Sequence, residues 1–397
     1  MRSRLHRTVT ALIQSSMAYI VIVPLAFSQE KAAIYLGPFD VVPEVGIDVQ
    51  RDDNIFNDTS GNEVASTLTL VKPAITAVAD DGVVKYTVGY QLENGSYSDV
   101  NDNDYTDHTL EAKMDWRIDV RHLIELNTSV NTGHEDRSTD SVTTFDAAAD
   151  LNEFTNRALG AKYTFGSEGA RGRITLGFDT NSLRYTTNQA VTNVLESDTD
   201  TKIIGLSLAF SPSSRVNFQL EESENTFREN SSRNRKDRSY TVGAEWDLTG
   251  TTKGIVSLGR TNNDLINAVG DTASSTGEIA LEWSPQDHSV FTLAADKSAK
   301  NSENNTGDFI DASVFSVNWA YKFRDPLTIN LSVQQQNDNY VGVNRNDTTE
   351  ALQLTLTYAM RRWLTFGLSV GVEERESTDA AVTYRKDTVK FSLNASL

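Results

Sequence analysis

The sequence predicts an all-β protein, a transmembrane antiparallel β-barrel of about eighteen strands, on three observations. Apolar residues recur at every second position along almost the whole chain, tight turns alternate with long polar loops, and all five tryptophans lie near the tight turns. Composition alone suggests a soluble protein, with 38% hydrophobic residues and a mean hydropathy of −0.40. A barrel is compatible with those values because only alternate residues of each strand need to meet lipid.

Elements follow from the first residue onward. Arg2, Arg4 and Arg7 precede an apolar run from Met17 to Phe27 that ends in Ala26-Phe27-Ser28, so residues 1–28 read as a secretory signal peptide cleaved near Ser28. Residues 29–42 then form a short periplasmic segment, and the barrel occupies 43–397. No later segment approaches the roughly 18 consecutive apolar residues of a membrane helix. A secreted chain without cysteine has no disulfides, so a large hydrogen-bonded framework has to stabilise it. The formal net charge of −19 argues against a nucleic-acid partner.

Three weaker strands come first, near Val45 to Val49, Val64 to Val78 and Val83 to Tyr97, and Pro73 predicts a bulge or break in the second. The clearest strand places Leu110, Ala112, Met114, Trp116 and Ile118 on one face and Glu111, Lys113, Asp115, Arg117 and Asp119 on the other. Ile124, Leu126, Thr128 and Val130 alternate with Glu125, Asn127, Ser129 and Asn131, and only Val120 to His122 separates the pair, which makes a hairpin. The same unit recurs to the end, where Val389, Phe391, Leu393, Ala395 and Leu397 form the last apolar row. Tight turns such as Asp80-Asp81-Gly82, Ser211 to Ser214 and Arg361-Arg362 predict the periplasmic rim. Loops rich in Asp, Asn, Ser and Thr, among them Glu135 to Asn152, Asn188 to Thr199 and Asn337 to Asp347, predict the outer rim.

Trp116, Trp246, Trp283, Trp319 and Trp363 form an aromatic girdle beside the periplasmic turns, where an amphipathic ring has its best site. A soluble β-sandwich or propeller shares the alternation but has no reason to collect tryptophan at alternate turns. The expected location is the outer membrane of a Gram-negative bacterium, with lipid and lipopolysaccharide as surroundings.

If the apolar rows face lipid, the inward rows carry Glu111, Lys113, Asp115, Arg117, Glu125, Gln219, Glu221, Glu245, Glu282, Lys322, Gln334, Gln353 and Lys390, together with Asn394. These groups mix both signs with amides, and a water-filled lumen leaves them solvated. About eighteen strands enclose more space than side chains fill, so an inward-folded loop is expected to constrict the passage. Glu135 to Asn152, the most apolar long loop, is the candidate.

Catalytic, cofactor and metal motifs are absent. His108, His122, His134 and His288 lack zinc-ligand spacing, and Gly166, Gly169 and Gly172 are turn residues rather than a phosphate loop. Two alternatives stay open: a Ser-His pair of His134 with Ser138 or Ser141 for a lipase-like barrel, and a divalent cation at Asp99 to Asp104.

The opening strand from Val45 to Asn54, with Gly46, Asp48 and Asp53-Asn54-Ile55-Phe56, followed by Leu70 to Ala77 with Pro73, carries a family likeness. The chain resembles the porin-like outer-membrane β-barrels encoded in exopolysaccharide and capsule export gene clusters. That resemblance covers nearly the whole mature chain and implies polysaccharide export, with a periplasmic export protein as partner. Barrels of this kind commonly end on Phe for the assembly machinery, whereas this chain ends on Leu397. The expected function is a channel without enzymatic activity, for a glycan on the resemblance or for small solutes as a general diffusion porin. A purely structural barrel is the remaining alternative.

Overall fold

A computed structural model describes residues 33–138, 140, 150–247, 251–266, 272–302 and 306–396. The expected signal peptide, most of the loop between Glu135 and Asn152, and Leu397 lie outside the described residues. The chain forms β1 (Ile34–Leu36), β2 (Phe39–Asp52), β3 (Ser66–Asp80), β4 (Val84–Tyr97), β5 (Tyr105–Arg117), β6 (His122–Glu135) and β7 (Asn152–Phe165). It continues with β8 (Gly172–Tyr185), β9 (Ser197–Ser211), β10 (Ser214–Phe227), β11 (Arg235–Asp247), β12 (Thr252–Leu265) and β13 (Thr272–Gln286). The last strands are β14 (Ser289–Lys300), β15 (Phe309–Arg324), β16 (Leu327–Val341), β17 (Arg345–Arg361), β18 (Leu364–Ser377) and β19 (Tyr384–Ser396).

Strands β2 to β19 pair antiparallel with their sequence neighbours, and β19 pairs with β2 from Thr388↔Asp52 to Ser396↔Glu44. The result is a closed barrel of 18 strands. Closure satisfies the backbone of every strand on both edges, which an apolar medium demands. The short β1 forms a hairpin on the start of β2, from Ile34↔Val41 to Leu36↔Phe39.

Two local expectations change. Strand β3 is continuous through Pro73, which faces Val45 of β2. On the β4 side, Val71↔Asn94 and Ala74↔Gln91 share one register, and only the Lys72 and Pro73 pairings between them are missing. The missing proline N–H therefore removes ladder contacts locally without inserting a bulge. The first barrel strand also begins at Phe39 rather than at residue 43, because Asp40, Val41 and Val42 already pair with Val78, Ala77 and Thr76.

Outer faces carry exposed apolar rows such as Ile174, Leu176 and Phe178, or Ile204, Leu206 and Leu208. Near the periplasmic turns, Trp283, Phe291, Trp319 and Tyr321 form a run of ring contacts across β13, β14 and β15, with centroids 5.3, 6.1 and 5.5 Å apart. Trp319 Nε1 donates to Ser289 Oγ at 3.0 Å, which satisfies the indole at this interface. Register shifts occur at Ser214/Arg215, Trp283/Gln286, Lys322/Arg324 and Ala359/Arg361, each beside a periplasmic turn.

Glycine permits close strand approach at Gly259, where an added Cβ would run into the carbonyl oxygen of Tyr240. At Gly89 the nearest atom to such a Cβ is Thr76 Oγ1, 4.0 Å away. Gly259→Ala should therefore destabilise the barrel by about 1–3 kcal/mol, while Gly89→Ala leaves it unchanged. The temperature at which the folded form loses its compact migration on SDS gels checks this, and equal effects at the two sites would contradict it.

Two periplasmic turns are closed by carboxylates. Asp81 Oδ1 accepts the N–H groups of Val84 at 2.7 Å and Val83 at 2.9 Å, and Asp119 Oδ1 accepts those of Arg121 at 2.7 Å and His122 at 3.0 Å. These N–H donors hold both carboxyls below their ordinary value of 3.8. A depressed folded value means that the stabilisation is present at neutral pH and is lost as pH falls through that value. Exchange protection of the Val84 and His122 amides should accordingly weaken only below the pH at which a free aspartate titrates; loss of protection above it contradicts the assignment.

Candidate functional site

The register puts Glu111, Lys113, Asp115, Arg117 and Glu125 on the face opposite the exposed Leu110, Trp116 and Leu126, and so toward the lumen. Gln219, Glu221 and Glu245 lie opposite the exposed Leu220 and Val242, and Glu282 and Lys322 opposite Trp283 and Phe323. Gln334, Gln353 and Lys390 likewise alternate with Val333, Leu352 and Phe391. Neighbouring charges pair along the wall: Lys113 with Glu111 at 3.3 Å, Lys162 with Glu125 at 2.9 Å and Lys253 with Glu282 at 3.6 Å. Lys322 is bound to Asp325, and Gln219 Nε2 donates to Glu221 Oε2 at 3.1 Å. These inward groups spread around the wall rather than converging on one point.

Trp116, Trp246, Trp283 and Trp319 lie toward their strands' periplasmic ends and Trp363 in the turn between β17 and β18, with Trp116, Trp283 and Trp363 exposed. Trp246 lies directly across from Gly254.

The convergent cluster stands at the outer mouth, and the sequence reading missed it. Arg345, at the start of β17, donates from Nη1 and Nη2 to both oxygens of Asp140 at 2.7 and 2.6 Å, and from Nε and Nη2 to Asp347 at 3.0 and 2.6 Å. Arg375 of β18 adds a third bond to Asp140 at 3.2 Å. The two guanidinium groups lie over aromatic rings, Arg345 4.4 Å from the Tyr340 centroid and Arg375 5.1 Å from that of Tyr384. Tyr384 donates its hydroxyl to Glu373 at 2.6 Å, and Ser377 Oγ donates to Asp347 at 2.6 Å.

Asp140 belongs to the connection between β6 and β7. Its partners on β18 and β17 lie six and seven strands from β6 by the shorter route around the barrel, so Asp140 reaches across the mouth. Two carboxylates, Asp140 and Asp347, balance two guanidinium groups there, and the bidentate geometry is the strong form of such a pair. A repeated Arg-x-Asp spacing at strand starts is the signal that could have drawn attention to it. Arg235 and Asp237 open β11 as Arg345 and Asp347 open β17, two residues apart and hence on one face. In β11 the Nε–H is instead shared between both oxygens of Asp237, 2.8 Å from each, and Arg235 is 1% exposed with its guanidinium 4.7 Å from the Phe309 centroid.

At the outer end of β6, His134 Nδ1 lies 3.1 Å from Asp107 and Nε2 lies 3.3 Å from Asp136, so carboxylates face both ring nitrogens. The Ser138 hydroxyl accepts the N–H of Asp140 at 3.3 Å, and Ser141 lies outside the described residues. In the acidic segment expected as a cation site, Asp104 accepts the N–H of Tyr97 at 2.7 Å and so closes the turn, while Asp99 accepts the hydroxyl of Ser98 at 2.6 Å and lies 3.7 Å from Arg51.

Removing one partner from a buried, hydrogen-bonded charge pair costs about 3–5 kcal/mol, and each 1.4 kcal/mol is tenfold in population. Asp140→Ala should therefore break this tether to β17 and β18 and raise single-channel conductance, with more current noise, while Asp99→Ala leaves both unchanged. Identical traces for the Asp140 variant and the parent would show that the tether does not restrict the passage.

The model of the family described as Putative beta-barrel porin 2 matches residues 29–397. Among curated proteins, none matches the chain. The fold is similar to OpdK of Pseudomonas aeruginosa, solved with vanillate, at 13% identity and a TM-score of 0.50 over 90% of this chain and 98% of that one. OccK2 (OpdF) of the same organism is similar at 11% identity and a TM-score of 0.50 over 91% and 98%. OccAB4 of Acinetobacter baumannii gives 11% identity and a TM-score of 0.48 over 90% and 98%. With a closed wall, a charged interior and a family match across the whole barrel, the chain belongs to the Putative beta-barrel porin 2 family as an outer-membrane, porin-type channel of a Gram-negative bacterium.

Proposed function

We propose that this channel passes small polar solutes by diffusion, as a general porin does. The observation that carries the reading is the crossing of the mouth by Asp140, held by Arg345 and Arg375 on the far wall. A residue fixed there narrows the opening, which suits compact solutes and obstructs a polymer. Inward charges of both signs, many of them paired, give the passage little reason to select strongly by charge. Solutes would move between Asp140 and the free part of the wall, with the water-filled lumen beneath.

Polysaccharide export is the second reading, supported by the resemblance in the opening strands and by the inward amides Gln219, Gln334 and Gln353, which suit sugar hydroxyls. It carries with it a docked periplasmic export protein, and it needs the Asp140 tether to open.

Reconstitution separates the two. The diffusion reading expects a persistent conductance in planar bilayers and, in liposome swelling, rapid entry of monosaccharides with steep exclusion of longer glucans. A closed barrel in bilayers, together with loss of surface polysaccharide on gene deletion while its synthesis continues, would overturn it in favour of export.

A further inference from the structure

The outer wall changes character where its apolar rows end on the extracellular side. The first outward residue above the last apolar one is basic in β7 (Arg157 above Leu159), β9 (Lys202 above Ile204), β11 (Arg238 above Tyr240), β12 (Arg260 above Leu258) and β14 (Lys297 above Ala295). Within the same arc, Glu222 of β10 is the acidic exception, and it accepts bonds from Lys236 at 2.8 Å and Arg238 at 3.0 Å. Arg157, Lys202 and Arg260 are exposed and make no ion pair among the described residues. On the other side of the barrel the same level carries Glu350 of β17, Glu374 of β18 and Asp387 of β19. Among the described residues, a chain of net charge −19 thus places five of the six lysines and arginines at this boundary within one arc; the sixth, Arg51 above Val49 of β2, lies 3.7 Å from Asp99.

We propose that the arc β7–β14 is a docking surface for a phosphorylated glycolipid of the outer leaflet. Charge complementarity carries the argument. At the boundary between acyl chains and headgroups a long basic side chain lays its methylene stem on the apolar wall and lifts its charge to the phosphate level. Adjacent strands are about 4.8 Å apart, so eight strands spread the bases over about 34 Å of the circumference, wider than one phospholipid headgroup. Between the bases stand Thr180, Ser182, Asn262 and Ser275, hydroxyls and an amide that suit sugar hydroxyls. The acyl chains lie against Leu159, Ile204, Leu220 and Leu258, all exposed.

The test uses the full barrel in detergent and lipid A carrying both phosphates, with binding read by native mass spectrometry. The combined variant Arg157→Gln, Lys202→Gln, Arg260→Gln should bind at least about tenfold more weakly, and removal of the phosphates should weaken binding to the parent to the same degree. Chelation by EDTA should leave binding unchanged, as should the opposite-arc variant Glu350→Gln, Glu374→Gln, Asp387→Asn. Compact migration on SDS gels reports an intact barrel, and the three single variants replace the combined one if it does not fold. Unchanged affinity in folded basic variants overturns the proposal. So does equal binding of the dephosphorylated lipid, loss of binding with EDTA (which would mean a cation bridging to carboxylates), or equally tight binding of phosphatidylglycerol.

Discussion

The pairing of β19 with β2 is the constraint on which the rest depends. An unpaired peptide group in an apolar medium costs about 4–8 kcal/mol, and whole proteins are stable by only about 5–15 kcal/mol. A single open seam would exceed that margin several times over. Closure fixes the strand directions and the pairing of neighbours, and with them the alternation of lipid-facing and lumen-facing residues. It also explains why Pro73 is tolerated: its missing N–H affects one short stretch of the β3–β4 ladder, with the β2–β3 ladder beside it complete.

Inside that wall the energetic rules change, because water reaches the lumen and charged side chains can stay hydrated. The mouth cluster is the exception. Arg345, Asp347 and Asp140 are largely withdrawn from solvent, and their mutual hydrogen bonds replace hydration. Tyrosine rings of the same wall support the guanidinium planes, so the cluster joins a connection of β6–β7 to the strands that face it. The wall thus serves as a rigid anchor for Asp140, which is held there through its side chain.

Much of the fold was legible because a closed sheet writes itself into sequence at period two. The row Leu110, Ala112, Met114 and its charged alternates announces a strand whatever its neighbours are, and eighteen such rows with alternating gaps announce a barrel. The reach of Asp140 to the outer-mouth cluster was not legible, since 205 residues separate it from Arg345 and the Arg-x-Asp spacing marks only the strand side of the pair. Pro73 misled for a related reason: a proline reads as a break from its own strand alone, while its tolerance depends on the ladder beside it. The start of β2 at Phe39 was hidden because Asp40 and Pro43 weaken the alternation just where pairing with β3 supplies the order.

Among the described residues the register shifts all lie beside periplasmic turns, and none falls at the extracellular ends of the strands. Register shifts are thereby confined to one rim; at the other the β5–β6 and β13–β14 ladders simply end early, at His108↔Thr132 and Gly277↔Lys297, without changing register. Loops at the outer mouth can then lengthen, shorten or be exchanged without shifting a strand against its neighbour. Evolution can remodel what enters this barrel while leaving untouched the scaffold that keeps it in the membrane.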